Sequence, residues 1–161
     1  MSVTIEIAIE SARWSELPGA EAAVRGAIEA ALADCGQDNA EVSVALAGDD
    51  RIRELNRQWR GKDSATNVLS FPAADGPATE PRFLGDVILA FETIEREAAA
   101  EAKPFAHHVA HLAAHGTLHL LGYDHENDSG AERMERRERD ILARIGIPDP
   151  YTSTARRTEP A

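Results

Sequence analysis

Apolar and polar positions alternate at the start of the chain: Val3, Ile5, Ile7 and Ile9 fall on one side, Thr4, Glu6 and Ala8 on the other. A period of two predicts a half-buried strand. After Pro18-Gly19 the period changes. Val24, Ala27, Ile28, Ala31 and Leu32 recur at helical spacing, and Gly36 supplies a left-handed stop. Val42 to Leu46 predicts a second strand. One of the aspartates after Gly48 is expected to cap a helix carrying Ile52, Leu55, Asn56 and Trp59.

Gly61-Lys62-Asp63 breaks that helix. Val68 to Phe71 predicts a short strand stopped by Pro72, and residues 73–82, with their prolines and Asp75-Gly76, read as an exposed loop. Leu84 to Phe91 is the most apolar strand. A glutamate- and alanine-rich helix follows as far as Pro104, then a long helix from Phe105 to Leu121 closed by Gly122. Ser129 and Glu132 fit a capping box that opens a last helix, running to Ile145. The mixed charges from Glu132 to Asp140 read as a solvated, salt-bridged face. This order supports an α/β or α+β class. With no repeat and no linker, residues 1–150 form one domain and 151–161 a flexible tail.

A length of 161 residues, with 43% apolar and 28% charged positions, suits one globular domain. No apolar run approaches the ~20 residues that span a bilayer. The first ten residues carry acids and no basic-then-apolar leader. Cys35 is the only cysteine, which leaves no internal disulfide. These features predict a cytoplasmic chain with no membrane partner.

The net charge of −11 argues against coating nucleic acid by bulk electrostatics, and DNA is not expected as a partner. A local basic surface on an acidic body is still able to serve RNA. Arg51, Arg53, Arg57, Arg60 and Lys62 form the densest positive stretch, against Glu54 alone. Arg60 and Lys62 lie where the helix breaks and are candidate substrate-binding residues. A guanidinium fork matches phosphate oxygens. Trp59 and Phe71 read as core residues, with base stacking as the alternative.

Five of the six histidines, His107, His108, His111, His115 and His119, fall in one predicted helix, and His125 follows it. His115 and His119, four apart, share a helix face. Gly122 lets the chain turn back so that His125 reaches the same point. Three imidazoles leave a fourth position for water, the arrangement of catalytic zinc, whereas structural zinc takes four protein ligands. One Zn2+ per chain is the expected cofactor, although nickel and copper accept the same ligands. His111, one turn earlier, is a candidate for substrate contact or for supporting a ligand.

The spacing His-x3-His-x2-Gly-x2-His is also that of the metzincin peptidases. Those carry a glutamate base directly after the first histidine, where this chain has Gly116. Peptide hydrolysis is therefore the second reading.

The string His115-Gly116-Thr117-Leu118-His119-Leu120-Leu121-Gly122-Tyr123-Asp124-His125 resembles the signature of the YbeY family, bacterial endoribonucleases of ribosomal RNA maturation. Arg60-Gly61-Lys62-Asp63, Thr66-Asn67-Val68-Leu69-Ser70-Phe71-Pro72 and Leu84-Gly85-Asp86-Val87-Ile88 are similar to two further segments of that family. Asn67 stands where many relatives have aspartate, and Ala65 where proline is frequent. The resemblance covers roughly Leu46 to Ile147.

It implies a zincin-like α+β fold: a small mixed sheet of about four strands covered by helices, with metal ligands on a central helix. It implies zinc at His115, His119 and His125, a required arginine at Arg60, and cleavage of single-stranded ribosomal RNA at the small-subunit 3′ end. A part in ribosome quality control, with the ribosome or its proteins as partners, is implied too. Asp86 and Asp124 are candidates for orienting the ligands from behind. His111 and Asp124 are the candidate bases, and attack by water or by the ribose 2′-hydroxyl both stay open. A ribosome-associated factor with a structural metal is the third reading.

Overall fold

A computed structural model describes residues 3–74 and 81–151. The strands are β1 (Thr4–Ile9), β2 (Ala40–Ala47), β3 (Val68–Pro72) and β4 (Arg82–Ala90). The helices are α1 (Ala20–Asp34), α2 (Asp49–Arg60), α3 (Phe91–Ala100), α4 (Phe105–Leu120) and α5 (Asp128–Arg144). The expected Asp75-Gly76 turn and the tail beyond Tyr151 lie outside the described residues. Among those residues no helix is long and apolar enough to cross a membrane.

The four strands run in the order β1-β2-β4-β3. β1, β2 and β4 are parallel, and β3 pairs antiparallel with β4 along one edge. The expected α+β class with a four-stranded mixed sheet is what the chain forms. Strand parity sorts the core. Val42, Val44, Leu46, Val68, Val87 and Leu89 pack with α1, α4 and α5, while Ala47, Leu69, Ile88 and Ala90 face the other way, toward Ile52 of α2.

α4 is the central element. From His108 to Leu118 every side chain on it is buried, because the sheet, α1, α3 and α5 surround it. Gly116 sets how closely it approaches the sheet. A Cβ there would lie 3.0 Å from Ser70 Oγ, 3.0 Å from Val87 Cγ1 and 3.3 Å from Val68 Cγ2. The Ser70 hydroxyl donates to the Gly116 carbonyl at 3.0 Å and ties the edge strand to the helix.

Two caps differ from expectation. α2 begins after Gly48, which offers no side-chain cap; instead the Asp49 amide donates to Glu92 Oε1 at 2.8 Å, and Asp49 Oδ1 accepts from the Thr93 amide at 3.0 Å. α2 and α3 thus cap each other, since their N-termini sit side by side at the ends of adjacent strands. α5 begins two residues earlier than the Ser129–Glu132 box predicts, with Asn127 Oδ1 accepting from the Gly130 amide at 2.7 Å. Asn127 competes because an amide oxygen caps as well as a hydroxyl does.

Gly116→Val is expected to destabilise the fold by about 2 kcal/mol or more, since the added methyls meet two stiff valines. Urea unfolding measures this directly.

Candidate metal centre

His115 is buried on α4, and His119 follows one turn later at the helix end, partly exposed. The helix closes through Tyr123 N–H to Leu118 O at 3.1 Å, and Gly122 turns with φ 97, a conformation that costs other residues strain. That reversal returns exposed His125 to the other two. Ring centroids lie 4.6 Å apart for His115 and His119, 5.5 Å for His115 and His125, and 5.2 Å for His119 and His125. One nitrogen from each ring lies within 4.8 Å of the others, and no cysteine or carboxylate joins the group among the described residues.

The donor set fits a cation. His115 and His119 bring their Nε2 atoms to 3.0 Å. His115 Nδ1 is 2.7 Å from Glu138 Oε2. Glu138 takes the His115 N–H on the side away from the cluster, which turns the His115 Nε2 lone pair toward His119. Tetrahedral ligand nitrogens ~2.0–2.1 Å from a metal sit at a similar separation, roughly 3.3 Å. Cys35 lies outside the set.

Burial holds His115 below the ordinary imidazole range, against the pull of Glu138, with His111 and His125 lowering it further. Burial and then His115 and His125 bring His119 to about 4. Both rings stay neutral at physiological pH, as ligands must.

Glu138 is the buried partner of the histidines that sequence reasoning missed. Its side chain is 1% exposed, with Oε1 2.6 Å from His111 Nε2 and Oε2 2.7 Å from His115 Nδ1. Burial alone would raise its pKa. The hydrogen bonds from His111 and His115 outweigh that and hold it below the usual carboxylate range. An ionised carboxylate behind a ligand imidazole fixes its tautomer and strengthens it as a donor. The signal was present: Met134, Glu138, Ile141 and Leu142 form the buried stripe of α5, and one member of that stripe is charged.

The other candidates separate. His111 is 4% exposed and turned toward Glu138, whose Oε1 lies 2.6 Å from its Nε2. Asp86 is corrected: its neighbour Val87 packs toward α4, so strand parity sends Asp86 out of the opposite sheet face, among Ser43, Ile88 and Phe71. Burial there raises its pKa. Asp124 is exposed and accepts the Glu126 amide at 3.3 Å, which makes it a turn residue.

Arg60 donates to the Ser70 carbonyl at 3.1 Å, and its guanidinium lies 5.7 Å from the Phe71 ring centroid. Two hydrogen bonds, Arg60 to Ser70 and Ser70 to Gly116, thus link it to the residue after His115. Lys62 is exposed just past the helix. Arg51 pairs with Glu54 and Arg53 with Asp63, so the positive end of the stretch is Arg57, Arg60 and Lys62. Trp59, expected in the core, is 67% exposed; it lines an open cavity on the sheet face with Ala45, Phe71 and Ile88, its ring centroid 6.4 Å from that of Phe71.

Residues 7–146 match the family model described as Endoribonuclease YbeY. A protein of that name from Rhodopseudomonas palustris is 53% identical over 156 residues, covering 94% of this chain and 82% of its own length. One from Azorhizobium caulinodans is 54% identical over 155 residues, covering 94% and 98%. The solution structure of TM1509 from Thermotoga maritima is 26% identical with a TM-score of 0.56, covering 96% of this chain and all of that one.

Two outcomes follow from the hydrogen bonding. Glu138→Gln should weaken divalent-metal affinity by about 10–100-fold, measured by chelator competition. Metal-free protein should also lose stability as pH falls from 6.5 toward about 4, because the unfolded chain protonates His119 throughout that window and the folded chain does not. Urea midpoints across pH measure it, and a midpoint that rises on acidification contradicts the burial account.

Proposed function

The chain belongs to the YbeY endoribonuclease family, and from that premise we propose that it cleaves single-stranded ribosomal RNA, in small-subunit 3′-end maturation and ribosome quality control, using one zinc ion held by His115, His119 and His125. The observation that carries this reading is the convergence of three imidazole nitrogens a short, hydrogen-bonded step from the basic end of α2. Zinc is the metal that best suits three neutral imidazoles with an open position. Bound there, it supplies Lewis acidity, which lowers the pKa of a water toward ~7 and polarises a phosphoryl oxygen.

The protein groups do the rest. Glu138 holds the proton on His115 Nδ1, which leaves Nε2 free for the ion. Arg57, Arg60 and Lys62 at the C-terminal end of α2 receive the RNA backbone, and the Arg60 fork meets the charge that grows on the pentavalent phosphorus. A local basic corner of this kind resolves the tension between an anionic substrate and a chain of net charge −11. Such a role places the protein in the cytoplasm, in contact with the ribosome.

The peptidase reading has an observation against it. The position after His115, where a metzincin carries its base, faces Ser70, Val87 and Val68 and has no room for a glutamate.

Purified chain incubated with structured ribosomal RNA should cleave it. A chelator should abolish cleavage and added zinc restore it. His119→Ala should be inactive, and Arg60→Ala should lower kcat by about 100-fold. Digestion of casein under the same conditions would favour the peptidase, and tight ribosome binding without cleavage would favour the structural-metal factor.

A further inference from the structure

Tyr151 was expected to begin a flexible tail, yet it is docked. Its amide donates to Asp149 Oδ1 at 2.8 Å, and Asp149 Oδ2 lies 3.0 Å from Arg139 Nε. The Arg139 guanidinium covers its ring at 5.4 Å, and the ring stands perpendicular to His111 with centroids 5.4 Å apart. Its hydroxyl donates to Glu138 Oε1, the oxygen that also accepts from His111, and lies 3.1 Å from His111 Nε2.

We propose that Tyr151 is a positioning residue of the metal centre: with His111 it locks the Glu138 carboxylate in the one orientation in which Oε2 meets His115 Nδ1. The proposal rests on the reading of His115, His119 and His125 as metal ligands.

The terminal torsion of a glutamate is a broad, roughly two-fold well, so nothing intrinsic to Glu138 fixes the plane of its carboxylate. A side chain 1% exposed has no bulk water to take over a lost donor. Two donors on Oε1 fix the plane and thereby aim Oε2. The consequence passes along α4: a well-aimed Oε2 keeps the His115 proton on Nδ1, and Nε2 keeps its lone pair on the side of His119. Tyr151, just after α5, therefore supports the site from behind the Glu138 carboxylate.

Tyr151→Phe removes the hydroxyl and keeps the ring against His111 and Arg139. Three measurements on the full chain test the proposal: zinc affinity by competition with a chromophoric chelator, the His115 tautomer in metal-free protein by long-range nitrogen–proton NMR, and urea unfolding. The variant should unfold cooperatively, bind zinc about tenfold more weakly than wild type, and lose the single Nδ1–H form of His115. A chain ending at Pro150 should show the same two losses. Equal zinc affinity and an unchanged His115 tautomer in Tyr151→Phe, while wild type binds one zinc, would overturn the role of Tyr151 alone. Failure of wild type to bind zinc would overturn it together with the metal reading on which it rests.

Discussion

A buried carboxylate between two imidazoles is the interaction on which the rest of the centre depends. Glu138 accepts from His111 and His115 at 2.6 and 2.7 Å in a place where an unpaired charge would be intolerable. Because the carboxylate takes the His115 proton on Nδ1, Nε2 faces His119 Nε2 as a lone pair 3.0 Å away. The fold holds that arrangement because α4 is packed between the sheet, α1, α3 and α5, and α5 delivers the counter-group from its apolar stripe.

The second constraint is the seam between α4 and the edge strand. Gly116 brings the helix against Ser70, Val87 and Val68, and the same strand offers its Ser70 carbonyl to Arg60. One glycine thereby sets how near the basic corner of α2 stands to the histidines. The position that a related spacing reserves for a catalytic base serves packing here, and the acid–base chemistry has to come from elsewhere in the site.

Much of this was legible in the sequence. The stripe Val24, Ala27, Ile28, Ala31 and Leu32 is buried as its period requires, and the four strands and five α-helices of the described residues lie where periodicity and glycine stops place them. The three histidines converge because helix geometry and one positive-φ glycine are local rules. What stayed hidden was non-local. Glu138 sits in a run of mixed charges that looks solvated until its fit to the stripe of Met134, Ile141 and Leu142 is noticed. Asp86 looked like a companion of the site because it is polar in an apolar strand, but sheet parity relative to α4 decides its face, and that depends on which way Val87 packs. Trp59 continues the apolar stripe of α2, yet it lines an open cavity on the sheet face and stays largely exposed. Tyr151 is held by partners on α4 and α5, a relation that no local pattern encodes.

The central claim, three imidazoles around one ion with a fourth corner left to solvent, is tested most directly by X-ray absorption at the zinc edge on protein purified without added metal. Such protein should carry one zinc per chain, with three histidine nitrogens at about 2.0–2.1 Å and one further light atom that is not from protein. A sulfur scatterer at about 2.3 Å, a fourth histidine, or protein that carries no metal and gains none when zinc is supplied would contradict it.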